Sequence, residues 1–136
     1  MKELIVDPMT RESLPEVVAF VEEELHKAGC PVRTVRQVNV AVEEVFINIA
    51  SYAYHPEPGN ATIRCTLEDA PLRITIQFLD RGRPYNPLDR EPPDTTLPLE
   101  EREVGGLGIL LVRGSMSEVA YEYKDGVNVL TLRKYL

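Results

Sequence analysis

Apolar positions recur along the chain with two different periods, and the switches between them mark out the elements. From Ser13 to Gly29 the period is helical: Val17, Val18, Phe20, Val21 and Leu25 form one face and Gly29 supplies a stop. The opening Ser-Leu-Pro-Glu predicts an N-cap at Ser13, Pro15 in the first turn and Glu16 closing a capping box. A second helix, over about 34–54, is apolar on nearly every side, and His55-Pro56 and Pro58-Gly59-Asn60 end it. Strict alternation then takes over. A strand over 61–67 puts Ile63, Cys65 and Leu67 on one side, and a strand over 72–79 alternates Leu72, Ile74, Ile76 and Phe78 against Arg73, Thr75, Gln77 and Leu79. The short connection between them predicts an antiparallel hairpin. A third helix over about 108–116 precedes strands at 118–123 and 127–135, which turn on Lys124, Asp125 and Gly126. A short strand over 3–6, punctuated by Pro8, opens the chain. Residues 88–104 are acidic, proline-rich and without period, and a loop of that length is usually functional or disordered.

Strands grouped in hairpins with helices between them predict an α+β two-layer sandwich in one domain, 1–136, rather than a doubly wound parallel sheet. Composition agrees with a soluble globular protein: 43% hydrophobic and 27% charged residues, with no apolar run near the ~20 residues that span a bilayer. The first residues, M-K-E-L-I-V-D-P, lack the apolar core of a signal peptide, so cytoplasmic residence without membrane contact is expected. The net charge of -7 argues against non-specific nucleic-acid binding, which demands clustered Lys and Arg. Cys30 and Cys65 stand singly, suggest neither a metal pattern nor a disulfide framework, and read as small apolar residues.

Three polar or glycine-rich stations interrupt this ordinary core. On the second helix Gln37, Glu44, Asn48, Ser51 and His55 fall within an arc of roughly 60°, opposite Val42, Phe46, Ile49 and Ala53. Removing a carboxylate and an amide from water without partners costs several kcal/mol, so something polar should meet them. Two accounts are open: a solvated groove or satisfied internal pair, or a cleft floor with a proton-accepting carboxylate and an amide oxygen for a hard cation. The second station is Asp80 with Gly82 at a strand exit, a turn or an acceptor for an exocyclic amine such as that of adenine. The third is Gly105-Gly106-Leu107-Gly108 entering a helix, a flexible connector or a phosphate site at a helix N-terminus.

The sequence Glu44-x-x-x-Asn48, then Asp80-Arg81-Gly82-Arg83-Pro84, then Gly105-Gly106-Leu107-Gly108-Ile109 resembles the three ATP-binding boxes of the GHKL ATPase superfamily. Within it the chain is similar to the anti-sigma-factor serine/threonine protein kinase branch over essentially its full length, including Tyr121-Glu122-Tyr123 and Gly126-x-Asn128-x-Leu130-x-Leu132. The resemblance implies a Bergerat fold, with a mixed, mainly antiparallel sheet covered on one face by three helices and 88–104 as an ATP lid. It implies Glu44 as general base and Asn48 as the Mg²⁺ ligand. Asp80 takes the adenine amine, Gly82 and Pro84 shape that box, Gly105, Gly106, Leu107 and Gly108 line the phosphates, and Asn128 supports the base. The cofactors implied are ATP and Mg²⁺.

Three departures from the family pattern stand out: Tyr52 in place of a common His, Asn128 in place of a common Thr, and Ser117 in place of a usual Asp. The activity implied is phosphorylation of a STAS-domain anti-anti-sigma protein by a kinase that also binds a sigma factor. A homodimer built on the first strand and helix, through Leu4, Val6, Val17 and Phe20, is expected with it. The alternatives are a non-catalytic ATP-binding regulator and a stand-alone GHKL ATPase domain. The last is disfavoured by Pro84, where histidine kinases typically carry glycine, and by the missing phosphoacceptor-histidine helix pair.

Overall fold

The computed structural model describes residues 1–53, 59–89 and 106–136. Its strands are β1 (Lys2–Val6), β2 (Ala61–Glu68), β3 (Arg73–Asp80), β4 (Glu118–Lys124) and β5 (Val127–Tyr135). They form one sheet in the order β1-β2-β3-β5-β4. Every pairing is antiparallel, so the mixed sheet expected above is antiparallel throughout among the described residues.

Among the described residues three α-helices, α1 (Leu14–Lys27), α2 (Val32–Asn48) and α3 (Gly106–Ser115), complete the second layer. Period-two alternation in the strands decides where the core sits. Ile63, Cys65, Ile74, Ile76, Phe78, Leu130 and Leu132 are buried and join Val17, Val21 and Leu25 of α1, Val38, Val42 and Phe46 of α2 and Val112 of α3. Their neighbours Thr62, Arg64, Gln77, Leu79, Thr131 and Arg133 are only half-buried on the uncovered face. Cys30 and Cys65 are free thiols. Burial pushes the Cys65 thiol up to about 12, as suits a small apolar side chain within β2.

Two elements depart from the expectation at their ends. Ser13 does not cap α1. It already has helical backbone angles, φ -83 and ψ -16, and its hydroxyl donates to the Pro8 carbonyl at 2.8 Å. An N-cap requires extended backbone, which Thr10 supplies one 3₁₀ turn earlier, ahead of Arg11–Ser13. Nor does α2 continue as an α-helix to residue 54. It ends at Asn48 and widens into a π-helical turn, Ile49–Ala53, a distortion that recurs at functional sites.

The expected interface residues are also redistributed. Val6 and Val17 are 3% and 0% exposed in the core, so neither can face a second copy. Leu4 and Phe20 are half-buried against the same cluster. Glu24 of α1, nearly buried, takes Lys2 of β1 at 2.9 Å and Lys27 at 3.2 Å, stitching the first strand to the helix above it. The β4–β5 hairpin turns on Asp125 and Gly126, both at positive φ (53° and 79°), the two-residue geometry that matches strand twist.

Candidate functional site

Asp80 is the last residue of β3, in phase with Ile74, Ile76 and Phe78, so its carboxylate points to the helix-covered side of the sheet. The strand register sets it beside Ala61 of β2 and Asn128 of β5, giving a row across three strand ends. It is 4% exposed. Burial raises the pKa of the carboxyl, and hydrogen bonds from Asn128 and the Gly82 backbone oppose that rise. Both bonds end on Oδ1, at 2.9 Å from Asn128 Nδ2 and 3.0 Å from the Gly82 N–H. No described group bonds Oδ2.

The turn after β3 closes onto Asn128. Its Nδ2 also donates to the Arg83 carbonyl at 2.9 Å and, more weakly, to the Gly82 carbonyl at 3.4 Å. Its Oδ1 accepts from the Tyr85 N–H at 3.2 Å and from the Tyr121 hydroxyl. Gly82 is half-buried and Pro84 exposed within this turn. Tyr85 and Tyr121 were given no role by the sequence reading. The signal for Tyr121 was present, because the two-residue Asp125-Gly126 turn fixes a register in which Tyr121 is diagonal to Asn128 across β4 and β5.

On α2, Glu44 is half-buried and Asn48 is 2% exposed, one turn further on. Asn48 does not pair with the Glu44 carboxylate. Its Nδ2 donates to the Glu44 backbone carbonyl at 2.7 Å, while its buried Oδ1 has no hydrogen-bond partner. A buried amide oxygen left without a partner costs about 1–3 kcal/mol, so the satisfied internal pair is not what the seam forms. Hard cations take carbonyl-type oxygens, and the donor set here fits Mg²⁺. Of the rest of the seam, Gln37 is half-buried and Ser51 exposed, and His55 lies outside the described residues.

Gly106, Leu107 and Gly108 form the first turn of α3, where backbone N–H groups have no partner within the helix. Gly105 and residues 90–104 of the expected lid lie outside the described residues. The first lid residues do not: Leu88 and Asp89 belong to a 3₁₀ turn, Pro87–Asp89, and the Leu88 carbonyl accepts from Arg113 of α3 at 3.1 Å. That bond ties the segment after Asp80 to α3, which packs on α2. Among the described residues no hydrogen bond links the Glu44 and Asn48 pair to Asp80. The common helix-covered side of the sheet is what relates them.

An antiparallel sheet layered by helices on one face, with a buried carboxylate at a strand end and a buried, unpartnered amide oxygen at a helix end, fits the GHKL class of ATP-binding domains. The chain belongs to the histidine kinase-like ATPase domain family, whose pattern matches residues 8–134. Among its relatives is the serine/threonine-protein kinase BtrW of Bordetella bronchiseptica, 30% identical over 99 residues that cover 72% of this chain and 68% of that protein. An anti-sigma F factor of Caldanaerobacter subterraneus is 29% identical over 108 residues, covering 77% of this chain and 73% of the relative. In three dimensions the whole chain superposes, with a TM-score of 0.65 and 17% identity, on one third of a Mycobacterium tuberculosis chain containing RsbU and RsbW domains. That likeness concerns the fold.

Proposed function

We propose that the protein is an ATP-dependent serine/threonine kinase and anti-sigma factor, acting on a small STAS-type anti-anti-sigma protein in a bacterial partner switch. The names of its relatives support the class, one a serine/threonine-protein kinase and another an anti-sigma factor. The observation that carries the chemistry is Asn48 Oδ1, buried and unpartnered one helical turn from the Glu44 carboxylate.

Asp80 reads the 6-amino group of adenine as a hydrogen-bond acceptor, and Gly82 leaves room for the ring to lie close. The N–H groups at the start of α3, with Gly106 and Gly108 lacking side chains, receive the phosphates. Asn48 Oδ1 would hold Mg²⁺, which when bound would supply positive charge to the phosphate oxygens. Glu44 accepts the proton of the incoming serine hydroxyl as its oxygen bonds the γ-phosphorus and the bond to the β,γ-bridging oxygen breaks, releasing ADP. A sigma factor and a second copy of the chain are the further partners in this reading.

The test is a single-turnover reaction with γ-labelled ATP, magnesium and a purified cognate STAS protein. The expected product is one acid-stable phosphoserine on that partner. Tight binding of ATP with no label transferred at any partner concentration would make the protein a non-catalytic regulator.

A further inference from the structure

Asn128 uses all of its hydrogen-bonding capacity on the protein itself. An amide offers two donors and two acceptor positions. Its NH₂ serves Asp80 Oδ1 and the Arg83 carbonyl, each at 2.9 Å, and its oxygen takes the Tyr85 N–H and the Tyr121 hydroxyl. The side chain is 3% exposed, which leaves little of it for a ligand to touch. Its orientation is also forced. The Tyr85 N–H can only donate and Asp80 Oδ1 and the Arg83 carbonyl can only accept, so a flipped amide would set its NH₂ against the first and its oxygen against the other two, while the Tyr121 hydroxyl could bond either end.

We infer that Asn128 is a positioning residue for base recognition: it occupies Asp80 Oδ1 and thereby reserves Oδ2 for the exocyclic amine, with the Tyr85 N–H fixing which way the amide faces and Tyr121 holding its oxygen in place. The inference rests on the nucleotide reading above and assigns Asn128 a role other than direct contact with the base. Asn128 and Asp80 are directly opposed in the β3–β5 register, and Tyr121 is the diagonal neighbour on β4, so the relay runs across three adjacent strands. It also fastens the 81–85 turn, since the Gly82 N–H bonds the same Asp80 oxygen and the Arg83 carbonyl and Tyr85 N–H bond the same amide. A single buried side chain thus sets both the carboxylate and the backbone that follows it.

The experiment compares binding of ATP with that of purine riboside triphosphate, which lacks only the 6-amino group. Asn128→Thr and Asn128→Val have the same shape, but only threonine retains a donor. The wild type should prefer ATP. Asn128→Val should lower the ATP-to-analogue affinity ratio by roughly ten-fold, with analogue affinity held within about three-fold, whereas Asn128→Thr and Tyr121→Phe should each lose only about two- to four-fold of the ratio. An Asn128→Val ratio equal to that of the wild type overturns the inference, as does an equal loss of both ligands, which marks a direct or merely structural contact. Should Asn128→Val fail to fold, an unchanged ratio in Tyr121→Phe overturns it. A wild type that binds both ligands alike removes Asp80 as the reader of the amine, and the inference falls with the nucleotide reading. That outcome is distinct from the others because it appears before any substitution is made.

Discussion

Asp80 carries a carboxylate into a nearly dry position, and its neighbours only partly offset the cost. With the folded-state pKa raised by burial, the folded protein holds this proton to higher pH than the unfolded chain. Stability tied to it is therefore present below the unfolded pKa and lost as pH rises through the folded one. Asp80→Asn keeps an oxygen for the Asn128 and Gly82 donors and removes the charge. The variant should melt above the wild type at neutral pH, with the difference closing in acid, while its preference for ATP over GTP declines. Thermal melts from pH 3 to 8 beside titrations with both nucleotides check this, and a variant that melts below the wild type at pH 7 would contradict it. Such an exchange of stability for recognition is usual where a site retains a costly group.

At the scale of elements, the seam of β1 against α1 depends on Glu24. Burial opposes ionisation of this carboxyl, but hydrogen bonds and charge from Lys2 and Lys27 prevail and hold its pKa below the usual range. Its stabilisation is present above the unfolded pKa and lost as pH falls through the depressed folded value. Glu24→Gln should cost about 1–2 kcal/mol at neutral pH, less than a fully buried pair because both lysines remain half exposed, and the cost should vanish in strong acid. Urea denaturation at pH 7 and pH 3 measures both. In the core, Phe46→Ala should cost about 3–5 kcal/mol, because the ring is buried in the core and its removal leaves a cavity.

The elements themselves were legible because their signals are local. Alternation in β2 and β3 and the Asp125-Gly126 turn determine strands whichever partner they pair with, and the buried phase they predict is the observed one. What escaped depends on competition between partners. Ser13 carries a cap signature, yet its hydroxyl finds the Pro8 carbonyl, and the extended backbone a cap needs belongs to Thr10. The widening of α2 after Asn48 has no signature in I-A-S-Y-A. In the site, residue types put Asp80 at a strand end and Asn48 on a helix, where the structure has them, but the saturation of Asn128 and the unpartnered state of Asn48 Oδ1 are facts of three-dimensional bonding. Val17 shares the apolar face of α1 with Val21 and Leu25, a pattern that serves a core as well as an interface, and the packing of α1 on the sheet puts both it and Val6 in the core.

On the scale of the whole molecule, the sheet has one covered face and one open face, and β1 is an edge strand. Ile5, pointing away from the core, is 68% exposed. A homodimer of this chain is therefore expected to use the outward side of β1 rather than the residues that its sequence first suggests. Light scattering at tens of micromolar should give a dimer mass for the wild type and a monomer mass for Ile5→Asp. A monomeric wild type would remove the dimer from the account. The central claim, however, is that one face of α2 divides the chemistry between a proton acceptor and an oxygen for the cation. Glu44→Gln keeps the size of the side chain and cannot take a proton at neutral pH. Asn48→Ala deletes the buried oxygen. The most direct measurement is single-turnover phosphate transfer by Glu44→Gln to the cognate STAS protein, with ATP affinity determined in parallel and Asn48→Ala as the comparison. Transfer by Glu44→Gln should fall by roughly 10² to 10⁴ with ATP affinity retained, whereas Asn48→Ala should lose affinity as well, and lose less of it when magnesium is withheld. Transfer by Glu44→Gln at the wild-type rate would contradict the assignment of the base.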